Sequence, residues 1–189
     1  MSVGSSDGND DCPMFDGSVL NGLCESLTSF SADCSLDASS YDPLYIRPLA
    51  RSDFEKGFVD LLSQLTDVGE ISRDMYLGRF DEMRVAGCYY TMVIEDRCAG
   101  VVVGSATLVV ESKFIHGCAL RGRLEDVVVS DRHRGKRLGK LLVSTVTQLA
   151  KRLGCYKLTL DCHDNMVPFY SNLGYVCEPN RANFMTQRF

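Results

Sequence analysis

The stretch from Leu124 to Leu153, LEDVVVSDRHRGKRLGKLLVSTVTQLAKRL, decides the fold of this chain. It begins with two carboxylates, Glu125 and Asp126, and a β-branched run that predicts a strand. A short turn with two glycines follows, and apolar residues then recur at the i, i+3, i+4 and i+7 spacing of a helix with one buried face. Strand, turn and helix in this order leave backbone N–H groups free at the helix start, where they can bind an anion.

Five cations crowd the turn and the first part of the predicted helix, where the helix dipole favours acidic residues instead. They are Arg132, Arg134, Lys136, Arg137 and Lys140. Each misplaced cation costs roughly 0.3–1 kcal/mol, so a sequence that keeps all five indicates an anionic ligand. A solvated basic face is the alternative interpretation, and it fits most charge runs. The preceding strand and the two glycines favour the ligand site.

Charge is divided unevenly along the 189 residues, whose net charge is −5. Residues 1–42 contain 8 of the 25 acidic residues and no Lys or Arg, so residues 43–189 carry 17 acidic and 20 basic residues. We therefore expect an acidic, largely disordered N-terminal tail over 1–42 and one folded domain over 43–189. Positive charge concentrated around 132–140 favours a small anionic ligand over a long nucleic-acid track.

The cysteine content and the hydropathy of the chain predict its redox environment and whether it spans a membrane. The nine cysteines are an odd number and none forms a CxxC pair, which predicts reduced thiols in a cytoplasmic protein and no metal site. No apolar signal segment opens the chain, and no run of eighteen apolar residues predicts a membrane span.

Hydrophobic periodicity and turn residues predict the remaining elements. Helices are expected over 52–65, starting from a capping box at Ser52 to Glu55, and over 72–87, 137–153 and 167–173. Strands are expected over 44–48, 88–95, 100–111, 126–129, 155–162, 175–177 and 182–188. A meander of long strands with interspersed helices indicates an α/β (α+β) domain with a mixed or antiparallel sheet.

This order of elements, together with two motifs, resembles the GCN5-related N-acetyltransferase (GNAT) superfamily. Arg134-Gly135-Lys136-Arg137-Leu138-Gly139 is similar to the family's Q/R-x-x-G-x-G/A, although Arg137 replaces the usual glycine. The second motif is FYSNLGY at Phe169–Tyr175. The resemblance implies the GNAT fold, a mixed and mostly antiparallel central sheet flanked by helices, with splayed strands at the acetyl-CoA site.

Further stretches are similar to one branch of that superfamily, the eukaryotic glucosamine-6-phosphate N-acetyltransferases. They are Gln64–Thr66, Lys113–His116, Gly122–Ser130, Leu138–Leu142, Gly154–Lys157 and Met185–Phe189. Met166 departs from the pattern, because the family commonly has Asn there and this chain has Asn165 one residue earlier. The resemblance implies acetyl transfer from acetyl-CoA to the 2-amino group of D-glucosamine 6-phosphate, a step in UDP-N-acetylglucosamine biosynthesis.

The resemblance also implies the residues that hold acetyl-CoA. They are Val127, Val128, Val129, Arg134, Gly135, Lys136, Arg137, Leu138, Gly139, Lys140, Asn165 and Tyr170. A backbone N–H near Val127 is the expected donor to the thioester carbonyl, and Tyr170 is the expected partner of the departing thiolate. Without the resemblance, Tyr170 fits an ordinary core aromatic equally well.

Three carboxylates at strand ends, Glu125, Asp126 and Asp161, are candidates to orient the sugar hydroxyls or the ammonium and to receive its proton. The sequence leaves open which of them acts as the base. The resemblance implies substrate binding by Thr66, Lys113, Phe114, Ile115, His116, Glu125, Asp126 and Arg188. Family members form dimers in which the C-terminal strand crosses to the partner, so Arg188 is expected to serve the neighbouring site.

Other functions remain open from the sequence. The same scaffold could acetylate a protein N-terminus or a lysine, although the cations on the acceptor side argue against a peptide. A non-catalytic acyl-CoA-binding module is a second alternative, which the presence of Tyr170 and Glu125 disfavours. A nucleic-acid site in the basic turn is the weakest alternative.

Overall fold

The computed structural model describes residues 12–23, 34–35, 42–178 and 185–187. Six strands in this part of the chain form one sheet in sequence order. They are β1 (Cys34–Ser35), β2 (Leu44–Pro48), β3 (Tyr89–Asp96), β4 (Val101–Ser112), β5 (Leu120–Val129) and β6 (Cys155–Thr159). The three central pairs are antiparallel, and the outer pairs β1–β2 and β5–β6 are parallel. This mixed, mostly antiparallel sheet confirms the predicted fold class.

Helices cover both faces of the sheet. They are α1 (Phe58–Leu62), α2 (Arg73–Ala86), α3, a single irregular turn (Ile115–Cys118), α4 (Leu138–Arg152) and α5 (Val167–Ser171). The apolar side of α4 packs with Ile46, Met92 and Leu108 of the sheet in one buried cluster. Residues of α1 and α2 pack on the opposite face around Val93 and Val102. The periodicity that predicts a helix over 137–153 therefore identifies α4 to within one residue at each end.

The helix predicted over 52–65 is broken into two short pieces. A 3-10 turn over Arg51–Phe54 precedes α1, and Gly57 between them has a φ of 77°. The predicted capping box is wrong, because the Asp53 carboxylate accepts the Ala50 N–H at 2.7 Å. Both Asp53 oxygens also accept hydrogen bonds from the Arg47 guanidinium, at 2.6 and 2.8 Å. Asp53 is fully buried, so this ion pair fixes the backbone locally.

One strand prediction is too long and another is wrong. The strand expected over 155–162 ends at Thr159, and residues 175–177 have no regular structure. The Tyr175 N–H instead donates to the Tyr170 carbonyl at 3.2 Å and closes the turn after α5. Residues 185–187 are also irregular, and the rest of the strand expected over 182–188 lies outside the described residues.

Residues 12–23, which the sequence assigns to a disordered tail, pack against the domain. Met14, Leu20 and Leu23 are no more than 5% exposed. The Met14 N–H donates to the Leu49 carbonyl at 2.7 Å, and the Arg152 guanidinium at the end of α4 donates to two carbonyls of the segment. The prediction of disorder is therefore wrong for this segment, while the domain boundary after residue 42 stays a prediction.

The sheet opens beside α4. The ladder between β5 and β6 starts at Leu120–Cys155 and ends at Arg123–Thr159, although β5 continues to Val129. Beyond Arg123, the edge of β5 that faces away from β4 has no strand partner among the described residues. The resulting gap between the strands leaves backbone N–H and C=O groups available to another extended chain.

Candidate active site

A β-bulge marks the edge of the gap. Ser105 of β4 pairs with Val128, but Thr107 pairs with Glu125, so two residues of β5 lie opposite Ala106 alone. One of the two is Asp126, whose φ of 52° lies in the left-handed region. Such a backbone in a residue other than glycine is costly and is concentrated at functional sites. The bulge therefore lies at Asp126, next to Glu125 and within the part of β5 that has lost β6 as a partner.

The start of α4 has the properties that the sequence predicts for an anion site. No side chain caps it, so its first N–H groups remain available. Gly135 and Arg137 both have positive φ values, 83° and 60°. Arg137 therefore adopts the conformation for which glycine is usual, which explains why glycine is common at this position in the motif. The side chains of Arg132, Lys136 and Arg137 are exposed, and Arg134 pairs with Asp131 at 2.5 Å.

Three contacts hold the basic loop before α4. The Asp131 N–H donates to the Gln64 side-chain oxygen at 2.9 Å, which ties the segment carrying Thr66 to this loop. His133 lies 3.5 Å from Asp96, the last residue of β3, and the Ser130 N–H donates to the Val103 carbonyl at 2.9 Å. The loop is thus anchored to the body of the domain on two sides.

The start of α4 also lies next to α5 and the end of β5. A methyl group added at Gly139 would be 3.7 Å from the Phe169 ring and 3.9 Å from Val129. This close approach places α5, the helix that carries Tyr170, beside the start of α4 and the end of β5. The structure therefore brings these three predicted segments together.

Tyr170 is held among other aromatic rings. Its ring meets Phe169 edge-on at 5.0 Å and Tyr175 at 5.8 Å, and the Tyr175 hydroxyl bonds the Thr147 hydroxyl on α4 at 2.9 Å. Burial, with smaller effects from Cys162 and Tyr175, raises the pKa of Tyr170. The phenol is therefore protonated at neutral pH and can donate its proton to an anion that forms beside it.

The three candidate carboxylates differ in their partners. Arg123 donates from Nε to Glu125 at 2.5 Å and from Nη2 to Asp161 at 2.6 Å. Glu125 lies on β5 and Asp161 lies two residues past the end of β6, and the guanidinium joins them across the mouth of the gap. Burial, and the charge of Glu125, raise the pKa of Asp126, even though its side chain can still be reached by solvent. Asp126 is thus the candidate carboxylate whose affinity for a proton the fold raises.

Other predicted residues lie away from these carboxylates. Lys113, Phe114, Ile115 and His116 lie between β4 and β5, where Lys113 pairs with Glu111 at 2.5 Å. The Lys113 N–H donates to Ala119, six residues before Glu125 and therefore about 20 Å from it along an extended strand. Asn165 is exposed in a 3-10 turn before α5. Arg188 lies outside the described residues.

Sequence reasoning missed Arg123 and Gln64 as parts of the site. Arg123 and Glu125 are two residues apart on a strand, so their sharing of one face could be predicted. The contact between Arg123 and Asp161 spans 38 residues and has no local signal. The same holds for Gln64, which meets Asp131 across 67 residues.

No group of three or more metal-ligating side chains occurs among the described residues. The thiols of Cys12, Cys88, Cys98, Cys118, Cys155, Cys162 and Cys177 are free. Within the same part of the chain, each helix is too short or too polar to cross a membrane. A free strand edge, an anion site, a proton-donating phenol and a cluster of carboxylates together suit transfer of an acyl group from an anionic carrier to an amine.

The chain belongs to the acetyltransferase (GNAT) family, whose sequence profile matches residues 50–175. It is 54% identical over 144 residues to a Drosophila melanogaster protein named "Probable glucosamine 6-phosphate N-acetyltransferase"; the match covers 76% of this chain and 66% of that protein, just under two thirds. It is 40% identical over 130 residues to the glucosamine 6-phosphate N-acetyltransferase of Arabidopsis thaliana, covering 68% of this chain and 87% of the plant protein. A crystal structure of the Arabidopsis thaliana enzyme superimposes with a TM-score of 0.73 and 37% identity, over 77% of this chain and 98% of that one.

Replacing Asp126 with Asn tests whether the ionised carboxylate lowers the stability of the folded protein. Folding raises the pKa of Asp126, so the ionised group destabilises the fold above that value, and the cost disappears below the unfolded pKa of about 3.9. Asn tolerates the left-handed backbone. We expect Asp126→Asn to melt at a higher temperature than the wild type at pH 7.5, with no gain near pH 3.5, and to lose activity.

Asp161→Asn is the matched control, because that carboxylate is bound by Arg123 and its removal leaves the guanidinium with one partner fewer. It should not raise the melting temperature at either pH. Equal stabilisation by both substitutions would mean that the general charge of the cluster, and not the position of Asp126, sets the effect.

Proposed function

We propose that this chain transfers the acetyl group of acetyl-CoA to the 2-amino group of D-glucosamine 6-phosphate. The products are N-acetyl-D-glucosamine 6-phosphate and CoA, a step towards UDP-N-acetylglucosamine. The observation that carries the proposal is the free edge of β5, which ends at Val129 beside the start of α4 and has Glu125 and Asp161 joined by Arg123 where β6 leaves it. The names of the matched relatives supply the acceptor.

Backbone groups of the chain would hold acetyl-CoA. The N–H groups from Arg134 to Lys140 bind its diphosphate, with the helix dipole and the exposed cations of the loop adding attraction. The free edge of β5 from Val127 to Val129 pairs with the extended pantetheine arm as a further strand would. The N–H near Val127 donates to the thioester carbonyl and stabilises the negative charge that develops there.

The side chains at the mouth of the gap accept and donate the protons of the reaction. The carboxylates attract the sugar ammonium, and Asp126, whose pKa is raised, takes a proton from it so that the neutral amine can attack. As the C–N bond forms and the C–S bond breaks, Tyr170 donates its phenol proton to the departing thiolate. The second proton that the nitrogen loses restores the phenol through solvent. Amino-sugar amines are only modestly basic, so correct placement supplies much of the rate acceleration.

We further propose that the acceptor site is completed in a homodimer. The loop Lys113–His116 is too far from Glu125 of its own chain to share one sugar phosphate with it. Phe114 is 96% exposed and Ile115 is 62% exposed, and both lie close in sequence to the His116 ring, which packs on Tyr156. Exposed apolar groups of this size favour a protein contact. Exchange of the C-terminal strand, which would bring Arg188 to the partner, involves residues outside the described part and stays a prediction.

Release of free thiol from acetyl-CoA tests the activity directly. Purified protein should release thiol with D-glucosamine 6-phosphate and with neither a lysine peptide nor a peptide with a free N-terminus. Turnover of a peptide without turnover of the sugar phosphate would reverse the assignment. Binding of CoA by calorimetry, with no turnover of any acceptor, would favour a non-catalytic module.

Removing the Tyr170 hydroxyl should affect chemistry more than binding. We expect Tyr170→Phe to lower kcat by about 100-fold or more, while the calorimetric Kd for CoA changes little, because the lost group acts as a general acid. Tyr175→Phe is the control: its hydroxyl bonds Thr147 on α4 instead of facing the gap. Equal kcat for Tyr170→Phe and wild type would remove Tyr170 from the mechanism.

A charge at the exposed apolar loop tests the dimer. We expect wild-type chains to form dimers in light scattering and Phe114→Glu to yield monomers with strongly reduced turnover, because a carboxylate buried in an apolar contact is costly. Val85→Glu, which charges an equally exposed apolar position on α2, should remain dimeric and active. A wild-type monomer with full activity would contradict the shared site.

A further inference from the structure

We infer that Arg123 is a positioning residue for the acceptor: it holds Glu125 and Asp161 as one unit across the mouth of the strand gap. This role rests on the proposed function, since it concerns how the sugar amine is received. Arg123 is the last residue of β5 that pairs with β6, and both of its carboxylate partners lie beyond that pair. It therefore stands where the two strands begin to separate.

Arg123 bonds two carboxylates that lie just beyond the last backbone pair of β5 and β6. Its Nε donates to Glu125 on β5 at 2.5 Å, and its Nη2 donates to Asp161, two residues past the end of β6, at 2.6 Å. The Arg123 side chain is 29% exposed, so protein atoms surround most of it. A planar guanidinium has donors in a fixed fork, so it sets the direction of both carboxylates as well as their separation.

The charge balance also favours this role. Glu125, Asp126 and Asp161 with a single guanidinium leave two net negative charges at the mouth of the gap. This excess can attract an ammonium group, while the guanidinium limits the repulsion among the carboxylates. The bonds to Glu125 and Asp161 raise the pKa of Arg123, so its own charge is constant across the working pH range.

Arg121 offers a matched comparison on the same strand. It lies two residues before Arg123 and therefore on the same face of β5. Its guanidinium bonds the Thr159 hydroxyl at 3.0 Å and lies 3.7 Å from Glu111. Arg121 thus also bridges β5 and its neighbours, but in the paired part of the sheet and without contact to the three candidate carboxylates.

The experiment compares Arg123→Gln, Arg123→Lys and Arg121→Gln with the wild type in the thiol-release assay. We expect Arg123→Gln to lower kcat/KM for D-glucosamine 6-phosphate by about 10- to 100-fold, with the KM for acetyl-CoA unchanged, because the acceptor is misplaced. Arg123→Lys restores the charge without the fork, so it should restore only part of kcat/KM.

Arg121→Gln should keep kcat/KM within a few-fold of the wild type, with the KM for acetyl-CoA also unchanged. Equal losses of kcat/KM in Arg123→Gln and Arg121→Gln would mean that Arg123 only holds the two strands together, and would overturn the inference. A loss of kcat/KM that is fully explained by a lower melting temperature would have the same meaning. A wild-type chain that binds CoA but turns over no D-glucosamine 6-phosphate would instead overturn the proposed function. The two failures are therefore distinguishable.

Discussion

The separation of β5 from β6 after the Arg123–Thr159 pair is the constraint on which the candidate site depends. A buried strand edge must satisfy its N–H and C=O groups, and here the neighbouring strand does not do so beyond that pair. The bulge at Asp126 and the packing of α5 against the start of α4 keep the gap from closing. The extended arm of a cofactor can form the hydrogen bonds that this edge lacks. The cations at the start of α4 and the carboxylates of β5 then lie near the two ends of the free edge.

The parts of the fold that could be predicted are those with a local cause. The apolar periodicity of α4 and the Ser72 and Gly87 caps of α2 lie within single segments, and the structure has these helices where the sequence predicts them. The first helix fails for the opposite reason. Asp53 is held by Arg47, which also bonds Glu95, 48 residues away, and this long-range network overrides the local capping pattern.

The candidate site divides in the same way. The glycine-containing turn, the helix start and Tyr170 lie within recognisable motifs, so the sequence indicates them. Which carboxylates bond Arg123 could not be predicted, because Asp161 is 38 residues away from it in the sequence and follows α4 and β6. Arg137 shows a further limit: its left-handed backbone costs about 1 kcal/mol relative to glycine, and only the structure reveals that the arginine adopts it.

The N-terminal segment over 12–23 has a practical consequence for handling the protein. The region matched by the family profile starts at residue 50, and a fragment cut to that region would expose the faces that Met14, Leu20 and Leu23 now cover. Arg152 at the end of α4 would also lose its hydrogen bonds to the carbonyls of Val19 and Asn21. We expect such a trimmed fragment to aggregate through its exposed apolar surface, so recombinant work should retain residues 12–23.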